Sequence, residues 1–247
     1  ALSAYPLSVS QYRRAAERVP GTKSHVLLIG DADAWSFAFK SRMPFRGANS
    51  WIMTSARREC PIVGGNFATD SIVFEPTEDA KLCGEWQKGL GDAVAGFKPD
   101  EIVLVASGSE TYDREIDGEF FRLGTPEYAR LIKRSLRIAK DHASRSNATL
   151  TIVGIPCADP SATVVPQLAE LRKDPARIGW ANSVLESFAK AQGRSVRFIK
   201  MDGLVCPGGT VSATPEGLAI RPDGENYSPA GVEAVLNWID SKIQSPN

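Results

Sequence analysis

Four consecutive apolar residues, Val26-Leu27-Leu28-Ile29, are followed at once by Gly30 and Asp31. An unbroken apolar run bounded by turn residues predicts a strand buried on both faces, and in parallel α/β sheets the C-terminal ends of such strands carry the chemistry. From Trp35 the apolar spacing changes to that of a helix, with Phe37, Ala38 and Phe39 as far as Met43, and Pro44 stops it. Upstream, Ser8 or Ser10 caps a short helix over 11–19, which Pro20-Gly21 ends.

The alternation repeats along the chain. A strand is expected at 50–55, then a long irregular loop over 56–77, then a helix over 78–97 with Leu82, Trp86, Leu90, Val94 and Phe97 on one side. Glu101 to Ala106 is the clearest strand, and Ser107-Gly108-Ser109-Glu110 forms the turn after it. A charged excursion over 112–122 leads to Thr125-Pro126, an N-cap followed by an N1 proline, which opens a helix reaching Arg145. Further strands are expected at 149–155 and 195–201, helices at 167–171 and from Pro175 to Gln192, and a closing helix behind Ser228-Pro229 with Val232, Val235, Leu236, Ile239 and Ile243 facing inward. Strands alternating with helices five times predict an α/β fold of three layers, a doubly wound, flavodoxin-like sheet of about five parallel strands. Residues 1–24 are expected to form an N-terminal linker and docking helix, and 25–247 the domain proper.

Composition narrows the partners. Lys plus Arg and Asp plus Glu both number 29, so no whole-chain field draws the protein to nucleic acid or an anionic membrane. No run of eighteen apolar residues exists to span a bilayer, and a start at Ala1 without a hydrophobic leader suggests a fragment or a processed product. The four cysteines, Cys60, Cys83, Cys157 and Cys206, are widely spaced and the histidines number two, His25 and His142, which disfavours a metal site. Two disulfides in an oxidising compartment fit the even count, with three connectivities open; four buried thiols are the other reading. Gly30 has no Gly-x-x-Gly after it, so no dinucleotide cradle is written, and no cofactor is expected.

Several stretches, taken in order, resemble the SGNH/GDSL hydrolases, and more narrowly the extracytoplasmic SGNH domain of actinobacterial acyltransferase-3 membrane proteins. They are Leu28-Ile29-Gly30-Asp31-Ala32, Cys60 and Cys83 bracketing a long loop, Ser107 to Arg114, Ile155-Pro156-Cys157, Val205-Cys206-Pro207-Gly208-Gly209 and Arg221 to Gly231. The resemblance runs from about Val26 to Ile243 and implies the disulfides Cys60–Cys83 and Cys157–Cys206. It also implies that the catalytic set is degenerate. The nucleophile position is Ala32, and the base position, three residues after Asp223, is Asn226, whose amide takes no proton near neutral pH. Glu59, Gly108 and Ser109 stand where oxyanion donors are expected, and Asp31 and Asp223 are retained.

On this resemblance no residue is expected to be catalytic. The domain is expected to be silent and extracytoplasmic, tethered to the cytoplasmic membrane by an acyltransferase unit of the same chain, with a binding or regulatory role toward a cell-envelope glycan or glycolipid. Asp31, Trp35, Glu110 and Asp223 are the candidates for a ligand cleft. Two other functions compete. One is a serine esterase or O-acyltransferase with its nucleophile relocated to Ser36, Ser107 or Ser109; the other is a protein-interaction module. Glu110, Asp113, Arg114 and Glu115 read as an exposed charged loop, the common fate of such a run, with the rim of a sugar-binding cleft as the other reading.

Overall fold

Buried on both faces, β1 (Ser24–Gly30) lies at the centre of the sheet, with Val26 and Leu28 facing one helical layer and Leu27 and Ile29 the other. The computed structural model describes residues 7–18, 20, 23–58, 60–69, 72–75, 86–160, 166–209, 217 and 219–244. Each fully buried Leu or Ile contributes about 1.5–3 kcal/mol, which is why a run with no polar face is stable only inside such a sandwich.

The main sheet has the order β2-β3-β1-β5-β8-β9, with β2 (Phe45–Arg46), β3 (Ser50–Ala56), β5 (Glu101–Val105), β8 (Thr149–Val153) and β9 (Val196–Ile199). Its parallel members are β3, β1, β5, β8 and β9; β2 joins the edge of β3 antiparallel. The doubly wound expectation holds. Two residues of edge pairing leave no periodicity to detect, so β2 was not foreseen. Because β1 pairs with β3 on one side and β5 on the other, the topological switch lies at the C-terminal ends of β1 and β5, where open α/β sheets form their crevice.

On one face pack α1 (Val9–Ala16), α3 (Trp86–Phe97), α4 (Pro126–Arg145) and α6 (Pro175–Ala191). On the other are α2 (Ala32–Lys40) and α7 (Pro229–Ile243), whose Val232, Val235, Leu236, Ile239 and Ile243 are all buried. The predicted caps form: Ser8, Thr125, Asp174 and Ser228 each accept a backbone N–H from the first turn of their helix. The helix α2 ends at Lys40, short of Met43, because Ser41 turns to extended backbone while its hydroxyl donates to the Phe37 carbonyl at 2.6 Å. Between β9 and α7 lies a single helical turn, Asp202–Val205.

Two expectations change. The excursion over 112–122 is a hairpin, β6 (Asp113–Ile116) and β7 (Glu119–Phe121), turned through Asp117 and Gly118, both at positive φ. It pairs with β4 (Asn66–Ala68), inside the stretch expected to be irregular, to make a small antiparallel sheet. The charged run is not exposed: Glu110, Asp113 and Arg114 are 2 %, 2 % and 0 % accessible, since each finds charged or backbone partners in the interior.

Cys157 and Cys206, behind the adjacent strands β8 and β9, form a disulfide with Cα atoms 6.1 Å apart. Cys83, and with it the expected Cys60–Cys83 pairing, lies outside the described residues, as does Glu59. Because the Cys157–Cys206 link closes a loop across 49 residues, its removal in a Cys157→Ala/Cys206→Ala variant should lower stability by about 2–4 kcal/mol, measured as a lower urea midpoint, with a steeper slope as the denatured chain expands.

Candidate functional site

The crevice is built on the turn out of β1. Gly30 has φ +144°, and a Cβ there would fall 2.5 Å from the Val105 carbonyl oxygen of β5, so only glycine lets β1 and β5 close up at their ends. Asp31 follows, 2 % exposed, and α2 starts at Ala32, whose methyl group is exposed to solvent.

Asp31 is the anchor of a buried polar network. Ser109, from the turn after β5, donates its hydroxyl to Asp31 Oδ2 in a very short contact, and its oxygen lies 2.7 Å from the Ser107 hydroxyl. Arg114 donates from Nη2 to the Ser109 carbonyl at 2.6 Å, while its guanidinium carbon stacks 4.5 Å above the Phe67 ring. Burial raises the Asp31 pKa, against the lowering effects of Ser107, Ser109 and Arg114. Glu110 accepts from the Ile62 N–H at 2.5 Å, and burial, only partly offset by Arg114, pushes its pKa up to about 8.

A second half of the network comes from later in the chain. Arg221, fully buried, donates from Nη1 to the Cys157 carbonyl at 3.0 Å and from Nη2 to the Tyr227 hydroxyl at 2.6 Å, and pairs with Asp33 at 3.4 Å. Lys40 donates to the Tyr227 carbonyl at 2.6 Å, so the segment 221–227 is held along α2. Arg172, on α5 (Pro166–Lys173), is 2 % exposed and reaches Glu225 at 3.8 Å. It lies across Gly108: a Cβ at that position would meet Arg172 Nε at 1.6 Å. A guanidinium therefore covers the turn where the resemblance expects an oxyanion donor.

The remaining predicted positions are placed as follows. Asn226 is exposed; its side-chain amide donates to Asp223 Oδ2 at 2.9 Å and its backbone N–H to Asp223 Oδ1 at 2.6 Å. Burial opposes the Asp223 charge, but these bonds and the Glu225 N–H hold its pKa below the usual value. Trp35 is half-buried, stacked on the exposed Phe39 at 5.2 Å with Arg58 on its ring at 5.9 Å. Asp31 and Glu110 thus meet in the buried network around Arg114, while Trp35 and Asp223 lie at the surface.

Three arginines of this network carried little sequence signal. Arg114 was assigned to solvent, Arg221 stood inside a quoted motif without a role, and Arg172 has no local mark, because its partners lie tens of residues away. No imidazole joins the site. His25 begins β1, about 16 Å from its end at the usual rise per residue, and its ring faces the Phe97 carbonyl; His142 lies on α4 beside Gly91 of α3. Among the described residues, Asp31 Oδ1, Glu110 Oε2, Arg114 Nε and Nη1, Arg172 Nη1 and Arg221 Nε are buried without a protein partner. That concentration of unsatisfied atoms in one network marks it as a place for ordered water or a small polar ligand.

No protein-family model matches the chain, and no curated protein matches it in sequence. Solved structures share the fold. A protein assigned as an acylhydrolase from Bacteroides fragilis is similar over 94 % of this chain and 94 % of its own, at 12 % identity and TM-score 0.60. A GDSL-like lipase from Bacteroides thetaiotaomicron is similar over 96 % and 98 %, at 12 % identity and TM-score 0.56. The M. smegmatis aryl esterase is similar over 90 % and 98 %, at 11 % identity and TM-score 0.53. The chain has an SGNH-hydrolase-like fold.

Glu110 supplies a test of the buried network. Its carboxyl stays protonated in the folded protein up to about pH 8 but ionises near 4.5 when unfolded, so between those values the native state holds the extra proton and stability falls as pH rises. Asp31 and Asp33, also raised by burial, act in the same sense. Glu110→Gln removes one of these contributions: its melting temperature should fall less between pH 5 and pH 8 than that of the parent protein, and parallel pH profiles would refute the assignment.

Proposed function

We propose that this chain is a catalytically silent SGNH-like domain, held outside the cytoplasmic membrane by an acyltransferase unit, with a binding or regulatory role in acylating a cell-envelope glycan or glycolipid. The observation that carries the silent part of the reading is the Asp223–Asn226 pair. The carboxylate accepts a side-chain N–H from a residue three positions on, the geometry in which an aspartate orients a base, but the group it orients is an amide. At the end of β1, where the resemblance places the nucleophile, the exposed residue is Ala32. Neither can take up a proton or form an acyl bond, and loss of such groups costs on the order of 10⁴-fold in rate. The Cys157–Cys206 disulfide supports an oxidising, extracytoplasmic setting, and no described helix is long and apolar enough to cross a membrane.

A relocated serine nucleophile has weaker support. The Ser36 hydroxyl donates to the Asp33 carbonyl at 2.8 Å, Ser107 is 2 % exposed, and Ser109 gives its proton to Asp31 inside the buried network. None is paired with an imidazole. Burial raises the Asp31 pKa and with it the basicity of the carboxylate, so of the three serines Ser109 is the one that the assays below test most directly.

With activated acetyl esters the protein is expected to show turnover no higher than a heat-denatured control, and no covalent labelling by a fluorophosphonate probe. Labelling that is lost in a Ser36→Ala, Ser107→Ala or Ser109→Ala variant would overturn the silent reading. The binding role is tested separately, by titrating fragments of envelope glycan: saturable binding supports it, and absence of binding favours a role in protein contacts.

A further inference from the structure

A groove of about 810 Å³ opens beside the sheet edge, at the far end of α2 from Ala32. Four cations line it, Arg18, Lys40, Arg42 and Arg46, against a single carboxylate, Glu233. In a chain whose charges balance at 29 of each sign, a local excess of three positive charges in one concavity is a concentrated field. Arg18 and Arg42 are exposed, with no side-chain hydrogen bond or ion pair among the described residues. Lys40 spends one of its three donors on the Tyr227 carbonyl, and Arg46 lies 4.8 Å over the Trp51 ring.

Between these cations the wall is apolar. Met43, Pro44 and Phe45 are half-buried there, and Trp51, 7 % exposed, backs the groove beneath Arg46. Cations alone, exposed to water, hold a free anion weakly. Cations around an apolar wall suit a molecule that brings an anionic head and a hydrocarbon stem together, and the volume lies within the range of ligand pockets. We propose that this groove binds an anionic phospholipid, its phosphate held by Arg42 and Arg46 with Arg18 and Lys40 at the sides, and the start of its acyl chains on Met43, Pro44 and Phe45. The site is separate from the Ala32 crevice and does not depend on whether that crevice is silent.

The test uses the full chain and vesicles of phosphatidylcholine with or without phosphatidylglycerol, read by co-sedimentation at physiological salt. Binding is expected only with phosphatidylglycerol. The groove variant Arg42→Glu/Arg46→Glu should bind at least roughly tenfold more weakly, since each basic side chain near an anionic surface is worth about fivefold. The control Arg130→Glu/Arg134→Glu, on the exposed side of α4, makes the same change in net charge and should lose much less. Phe45→Ser should also weaken binding, with its melting temperature recorded to confirm folding. Absence of binding to phosphatidylglycerol vesicles, equal losses in the groove and control variants, or an unchanged Phe45→Ser would overturn the proposal. So would displacement by millimolar inorganic phosphate at constant ionic strength, which would assign the groove to a free anion.

Discussion

A carboxylate at the end of a strand that is buried on both faces must either leave the interior or be supplied with partners inside it. Asp31 is supplied. The short turn after β5 brings the Ser109 hydroxyl onto Asp31 Oδ2 and sets Ser107 beside it, and Arg114, bonded to the Ser109 carbonyl, favours the charge without outweighing burial. Much of the unusual local structure follows from this demand. Glu110 is drawn inward with its turn and stays protonated near neutrality, and the hairpin is held down through its guanidinium on Phe67. Three of the strand connections therefore end at one polar knot, which replaces the freedom such turns have when they carry a reactive group.

The second arc of the knot, Arg221 with Asp33 and Tyr227, seats the segment 221–227 along α2 and keeps the Asp223–Asn226 pair presented at the surface. A buried ion pair of this kind contributes little net stability, because desolvation offsets most of the attraction, yet removing one partner is costly. Its effect is on placement. The pair fixes where the segment lies along α2, and with it which side chains of 223–226 reach the surface.

Much of the fold could be read from local signals. The apolar runs of β1 and β5, the proline-initiated helices at Thr125-Pro126, Asp174-Pro175 and Ser228-Pro229, and the inward face of α7 each depend on residues within a few positions of one another, so pattern reveals them. Pairings between distant segments were not legible in that way. The two residues of β2 and the three of β4 become strands only because β3 and β6 lie beside them. The charged run from Glu110 to Glu115 was misplaced for the same reason: isolated charges belong in water, and only knowledge of Ile62, Phe67 and Arg177 shows why Glu110, Arg114 and Asp113 do not. At the site, the residue types at 32, 223 and 226 stand in the sequence, but the placement of Arg172 across Gly108 could not be read there, since the two are far apart in the chain.

That last contact couples two positions that lie far apart in the chain. A Cβ introduced at position 108 would fall far inside van der Waals contact with the Arg172 guanidinium, and loss of Arg172 removes a charge that Asp33 and Glu225 both face. Neither position can drift alone. A hydroxyl placed at 32 and an imidazole placed at 226 would leave Arg172 across the turn at 108, so uncovering that turn takes a change on α5 as well.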